Sequence, residues 1–174
     1  MRMMKITFAL LLVCLLLPAA ALCEDLGVTI LSPIAMPAEA DAQALALYCG
    51  PTQGFYRHEE QTLDTGKDYV VFGQYDCWAM AAQGTKDAFG PIGWVEAGAI
   101  EGLPYEPQLA FEDALPVTVE EEAALTNDFD NVIIRLVPGT KVTLLAQLGD
   151  WGYVQAELDD MPPVRAFLPM SAIL

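Results

Sequence analysis

The residues in this chain that could do chemistry are one histidine, a few cysteines and many carboxylates, and their spacing narrows the choice. His58 is the only histidine, so a Cys-His or Ser-His nucleophile pair would have to be built on it. It stands in the acidic stretch Arg57, His58, Glu59, Glu60, where a solvated loop histidine is the simpler reading. Zinc needs several His or Cys ligands at short spacing, and one histidine with no Cys-x-x-Cys supplies no such set. Asp128 with Asp130, and Asp159 with Asp160, offer oxygens to calcium, but the Asp-x-Asp-x-Asp-Gly loop is absent, so acidic turns are expected there. Glu120, Glu121 and Glu122 read as a solvated face. Carboxylates are abundant, yet no spacing selects a glycoside-hydrolysing pair. The expectation is a non-catalytic protein with no cofactor and no metal.

The first residues set the compartment. Arg2 and Lys5 precede the apolar run Ile6 to Leu17, which ends at Pro18 and the small residues Ala19, Ala20 and Ala21. That is the pattern of a secretory signal peptide, expected over residues 1–23 with cleavage after Ala21 or after Cys23. The run is short for a ~30 Å hydrocarbon core, so no stable membrane insertion is expected after cleavage. Lipid anchoring at Cys23 is disfavoured, because Leu22 stands where that signal has a small residue. Removing Arg2 and Lys5 with the leader leaves six basic residues against 24 acidic ones, a formal charge of −18. Nucleic acid and anionic membranes are poor partners for such a surface. Outside the cytoplasm the pair Cys49 and Cys77 is a candidate disulfide, with two buried small hydrophobes as the alternative.

The elements that must carry any site come from a repeat. Trp151 minus Trp78 is 73, and at that offset Leu63 meets Leu136, Gly66 meets Gly139, Gln74 meets Gln147, Trp94 meets Phe167, Ala99 meets Ala172 and Ile100 meets Ile173. No gap is needed from Leu63 to Ile100; the first strands, near Leu47-Tyr48 and Ala124-Leu125, align only after a small deletion. Apolar residues alternate in Tyr69, Val71 and in Val142, Leu144, at the two-residue period of a pleated strand. Turn residues separate the runs, at Asp64-Thr65-Gly66, Gln74-Tyr75-Asp76, Pro138-Gly139 and Gly149-Asp150. The expected organisation is a tether over 24–43, a first module over 44–101, a Pro-containing connector over 102–116 and a second module over 117–174. Each module should hold about five short strands around a few large side chains. Trp78, Trp94, Leu63, Val71 and Ile100 are the expected core of one, and Trp151, Phe167, Leu136, Leu144 and Ile173 that of the other.

These residues resemble the bacterial SH3-like (SH3b) domain family. Tyr48-Cys49-Gly50-Pro51-Thr52 is similar to the strand and Gly-Pro-Ser/Thr turn that open such domains. Leu63-Asp64-Thr65-Gly66-Lys67 with Tyr69 and Val71 is similar to their turn and second strand. Asp76-Cys77-Trp78-Ala79-Met80 resembles the Gly-Asp-Trp-x-x-Val signature, and Gly93-Trp94-Val95 with Ile100 resembles the closing Gly-Trp-Val. In the second copy Gly149-Asp150-Trp151-Gly152-Tyr153-Val154 fits the signature, but the opening Gly-Pro turn is missing and Ala166-Phe167 replaces Gly-Trp. The resemblance implies an all-β protein of two small SH3-like β-barrels in tandem, and a bacterial cell-surface or secreted location.

It also implies a binding role, towards cell-wall peptide (peptidoglycan) or a surface protein. Tyr48, Phe55, Tyr56 and Tyr75 fall in regions that border a shallow groove in SH3-like barrels, and aromatic faces there could hold a peptide or sugar. The competing expectation is that Tyr48 and Phe55 merely close the barrel ends. An alternative function is a structural adaptor whose acidic surface selects a basic protein partner; a small cell-wall hydrolase ranks behind both.

Overall fold

The computed structural model describes residues 26–103 and 108–173, with the backbone alone for 58–60. The expected signal peptide, with Cys23, lies outside the described residues, as does the side chain of His58. In chain order the strands of the first half are β1 (Thr29–Ile30), β2 (Ile34–Met36), β3 (Ala44–Tyr48), β4 (Arg57–Asp64), β5 (Tyr69–Tyr75), β6 (Trp78–Thr85) and β7 (Ala88–Glu96). The second half contributes β8 (Leu115–Thr118), β9 (Ala123–Thr126), β10 (Val132–Leu136), β11 (Lys141–Leu148), β12 (Trp151–Ala156) and β13 (Val164–Pro169). The protein is all-β: besides strands, the described residues hold only short 3-10 turns, Ala97–Ala99 and Met170–Ala172.

Two sheets form. One runs β2-β5-β6-β7-β3-β4; the other runs β1-β11-β12-β13-β9-β10, with β8 also paired to β11. Every pairing between strands is antiparallel except β1 on β11. Neither ladder closes on itself, since β2 and β4 end one path without pairing to each other. The closed cylinders expected from the sequence are thus open sheets here.

The 73-residue repeat is carried into the hydrogen-bond register. Trp78 opposes Tyr75 and Glu96, and Trp151 opposes Leu148 and Pro169, the same positions 73 residues on. A bulge interrupts β5–β6 between Val71 and Gly73, and another interrupts β11–β12 between Leu144 and Ala146, again 73 apart. Such bulges bend a strand and redirect its side chains.

Because strand side chains alternate faces, each sheet has two apolar faces to cover. One face packs internally: Leu63, Tyr69, Val71, Ala81, Val95 and Ile100 in the first sheet. Their counterparts at offset 73, Leu136, Val142, Leu144, Val154, Leu168 and Ile173, do the same in the second. The other faces meet each other, with Phe72, Met80 and Trp94 from the first sheet in one cluster with Leu145, Tyr153 and Phe167 from the second. This corrects the expected cores: Trp78, Trp94 and Phe167 belong to the shared cluster, and Trp151 packs against it half-buried. The reason is the two-residue period, which sends Trp94 to the face opposite Val95.

The stretch expected as a tether is part of the fold. Val28, Leu31 and Met36 are buried in the second core, the shared cluster and the first core respectively. β1 lies along β11 and β2 along β5, so one short segment ties both sheets. The connector is likewise packed, burying Leu109 and Phe111 in the shared cluster before β8 begins at Leu115.

Leu63 and Leu144 are fully buried, one in each internal core. Leu63→Ala and Leu144→Ala are each expected to cost about 2–5 kcal/mol, read from urea unfolding followed by tryptophan fluorescence; a loss below about 1 kcal/mol at either would mean that residue is not a core residue.

Candidate functional site at the junction of the two sheets

The junction is built by reciprocal crossings. Tyr48, the last residue of β3, pairs with Trp94, and the next carbonyl, of Cys49, accepts from the Arg165 N–H of the other sheet at 2.6 Å. On the opposite side Thr126, the last residue of β9, pairs with Phe167, and the Asn127 carbonyl accepts from the Ile92 N–H at 2.7 Å. Each sheet thus lends a strand end to the other. Between them the Trp94 indole Nε1–H donates to the Tyr153 hydroxyl at 2.6 Å in a buried setting. Burial pushes the Tyr153 phenol well above its ordinary pKa, so the hydroxyl stays protonated and able to accept.

One departure from symmetry is a cross-strand pair beside the junction. In the first sheet Ala82 opposes Ile92, and at offset 73 the second sheet has Gln155 opposing Arg165. A polar pair therefore replaces an apolar one at the edge of the shared cluster. The Arg165 Nε–H donates to Gln155 Oε1 at 2.9 Å. Three rings surround the guanidinium: its carbon lies 5.1 Å from the centroid of Phe55, 5.3 Å from Phe111 and 5.9 Å from Tyr75. Rings at such distances attract a cation electrostatically, by about 0.5–2 kcal/mol each.

Among the described residues, Arg165 Nη1 is buried without a hydrogen-bond partner and Arg165 makes no ion pair. Burial lowers its pKa from the ordinary arginine value, opposed by the nearby Tyr153 and Tyr75; arginine nonetheless stays charged. It is also the one described cation that is not exposed, since Arg57, Lys67, Lys86, Arg135 and Lys141 all face solvent.

The walls are held by local structure. Phe55 sits on the loop between β3 and β4, and its ring lies over Gly50 so closely that any side chain at that glycine would collide with it. The loop is docked on the second sheet, with the Tyr56 N–H donating to the Pro163 carbonyl at 3.1 Å. Phe111 adopts a left-handed backbone, φ 51°, uncommon for a bulky residue; its ring stacks on Tyr75 at 6.0 Å. Tyr75 is the exposed wall, 39% accessible.

The four expected aromatics therefore do not line one open groove. Phe55 and Tyr75 are brought together on Arg165. Tyr48 instead meets Trp78 edge-on at 5.5 Å, with the Arg57 guanidinium 5.7 Å from its ring, and Tyr56 packs on the second internal core. Cys49 and Cys77 are both free thiols, one buried in that same core and the other exposed in the β5–β6 turn, so the candidate disulfide is not formed. Asp128 is absorbed by its own turn, accepting from the Asp130 and Asn131 backbone N–H groups and from the Asn131 side chain. Among the described residues no cluster of His, Cys, Asp or Glu suits a metal ion.

Sequence reasoning passed over Arg165, Gln155, Phe111 and Tyr153 as site residues. The signal for the first two was present, because the gapless repeat sets Arg165 against Ile92 and Gln155 against Ala82. Phe111 lies in the connector, outside the repeat, and offered none. No family model matches the chain, and comparison with curated proteins and with solved structures gives no match either.

Burial pushes the Cys49 thiol up to about 12, leaving roughly one molecule in ten thousand as thiolate at pH 8. Iodoacetamide at that pH is expected to alkylate Cys77 and to reach Cys49 only after unfolding, as peptide mapping would show; equal labelling of both in the native protein would contradict the buried placement. Trp94→Phe and Tyr153→Phe are each expected to destabilise the fold by about 1–3 kcal/mol, and a double-mutant cycle should return a coupling near 1 kcal/mol. Strict additivity would mean that the indole and hydroxyl do not interact.

Proposed function

We propose that this chain is a secreted, non-catalytic binding protein of two SH3-like modules, and that its ligand is a bacterial cell-wall peptide or a surface protein. The module assignment is supported by the family-like motifs, and by Trp78 and Trp151 opening strands of identical register. The faces that carry Trp94 and Phe167 cover each other, so ligand contact is assigned to the rim of the junction rather than to a groove on either module. The observation that carries the binding reading is Arg165, a half-buried cation ringed by Phe55, Tyr75 and Phe111 with an unpartnered donor. A cation held this way is costly unless something is gained from it. The charge of the chain also favours a second reading, an adaptor for a basic protein, because only six basic residues remain beyond the leader to offset 24 acidic ones.

The mature protein is expected to sediment with purified sacculi and to be released by soluble wall peptides. Failure to sediment, together with co-purification of one stoichiometric basic partner, would replace this reading with the adaptor.

A further inference from the structure

We infer that the Arg165 cage is a carboxylate-binding site, and that the group it takes is the free carboxylate of an extended peptide. The inference rests on the binding role proposed above and gives it a chemical specificity.

Four observations meet here. Arg165 and Gln155 occupy a cross-strand pair that is Ile92 and Ala82 in the equivalent sheet, so the fold is built with an apolar pair at this position in one half and a polar pair in the other. Gln155 holds Nε at 2.9 Å, which fixes the plane of the guanidinium, and its Nη side is reached by a ligand only when the exposed Tyr75 ring moves aside. Nη1 is buried and has no hydrogen-bond partner among the described residues. The other described cations are all exposed, and two of them already face carboxylates, Lys67 with Asp64 at 2.8 Å and Arg135 with Glu122 at 3.4 Å.

A planar guanidinium matches a carboxylate in a two-pronged, charge-assisted contact. The surrounding rings lower the local dielectric and strengthen that contact relative to water. Entry is from the side of Tyr75, the exposed wall, which sits at the end of β5 beside the turn that holds Asp76 at φ 53°. Phe55 and Phe111 then contact the residue that bears the carboxylate. The strongly acidic surface repels stray anions at long range, so the site selects ligands that carry their carboxylate on an otherwise neutral or basic peptide.

The test compares N-acetyl-alanyl-alanine with its C-terminal amide, by chemical-shift perturbation of the Arg165 side-chain Nε–H and by titration of tryptophan fluorescence. N-acetyl-glutamyl-alanine amide, which carries only a side-chain carboxylate, serves as a third arm. The acid is expected to bind at least about tenfold more tightly than the amide, and to weaken as salt is raised. Preference for the glutamyl arm would assign a side-chain carboxylate to the same cage and overturn the peptide-terminus source. Arg165→Ile, which installs the residue of the equivalent sheet, is expected to abolish binding of the acid while leaving Tm unchanged or raised, because a cation with no counter-charge among the described residues is removed from a partly buried place. Equal binding of acid and amide, or retained binding in the variant, would overturn the inference. The acid-against-amide comparison stands on the unmodified protein even if the variant does not fold. Sacculus binding that persists in the variant sinks the carboxylate site alone; absence of both sacculus and peptide binding sinks the binding role with it.

Discussion

The structure depends on one constraint: a sheet of six or seven short strands has two apolar faces, and a half-chain of this length supplies internal cover for only one. Val71 and Val95 turn inward within the first sheet, while Phe72 and Trp94, their neighbours in sequence, are left facing out. The second sheet has the same problem at the same positions, with Leu144 and Leu168 inward and Leu145 and Phe167 outward. Laying the outward faces together solves both at once. The union is then fixed by directional contacts that a purely apolar interface lacks, namely the Trp94 indole on the Tyr153 hydroxyl and the exchanged strand ends at Cys49 and Asn127.

This pairing of equivalent surfaces has the logic of a two-fold dimer, in which the same patch serves on both sides, written into a single chain. Covalent linkage removes the requirement that the halves stay identical. The first copy could keep a long loop, 49–56, that reaches across to Pro163 and Arg165; the second has a shorter connection between β9 and β10 that instead places Phe129 against Trp151 and Phe167. The departure from symmetry with the clearest chemical content is the replacement of Ala82 and Ile92 by Gln155 and Arg165. It puts a hydrogen-bonded cation where its counterpart is hydrocarbon, and the loop, the end of β5 and the connector each supply one ring to enclose it.

Much of this was legible in the residues. The gapless offset from Leu63 to Ile100 predicted strands of matching register, and the pairing of Trp78 and Trp151 with equivalent neighbours follows it. The alternation around Tyr69 and Val142 marked pleated strands. What the pattern misjudged was the destination of the alternate side chains: Trp94 and Phe167 are large and apolar, and read alone they belong to whichever core is nearest. Tyr48, Phe55, Tyr56 and Tyr75 all fall in regions of one copy that border a groove in SH3-like barrels, whereas each is positioned by residues of the other copy or of the shared cluster. The Ala- and Pro-rich stretch before Ala44 looked like a spacer by composition, yet Val28, Leu31 and Met36 are enough to pin it to three separate apolar clusters.

By itself the amino-acid order determined the strand content, the 73-residue repeat and the single histidine, since all of these follow from local periodicity and from residue counts. Whether the duplicated faces would stand apart or cover one another was decided only in three dimensions, because burial is a property of what lies opposite a side chain and not of its neighbours in the chain. The same reason explains Arg165: an arginine among apolar residues on a strand is unremarkable until a loop and a strand end from one copy and a connector bring three rings around it.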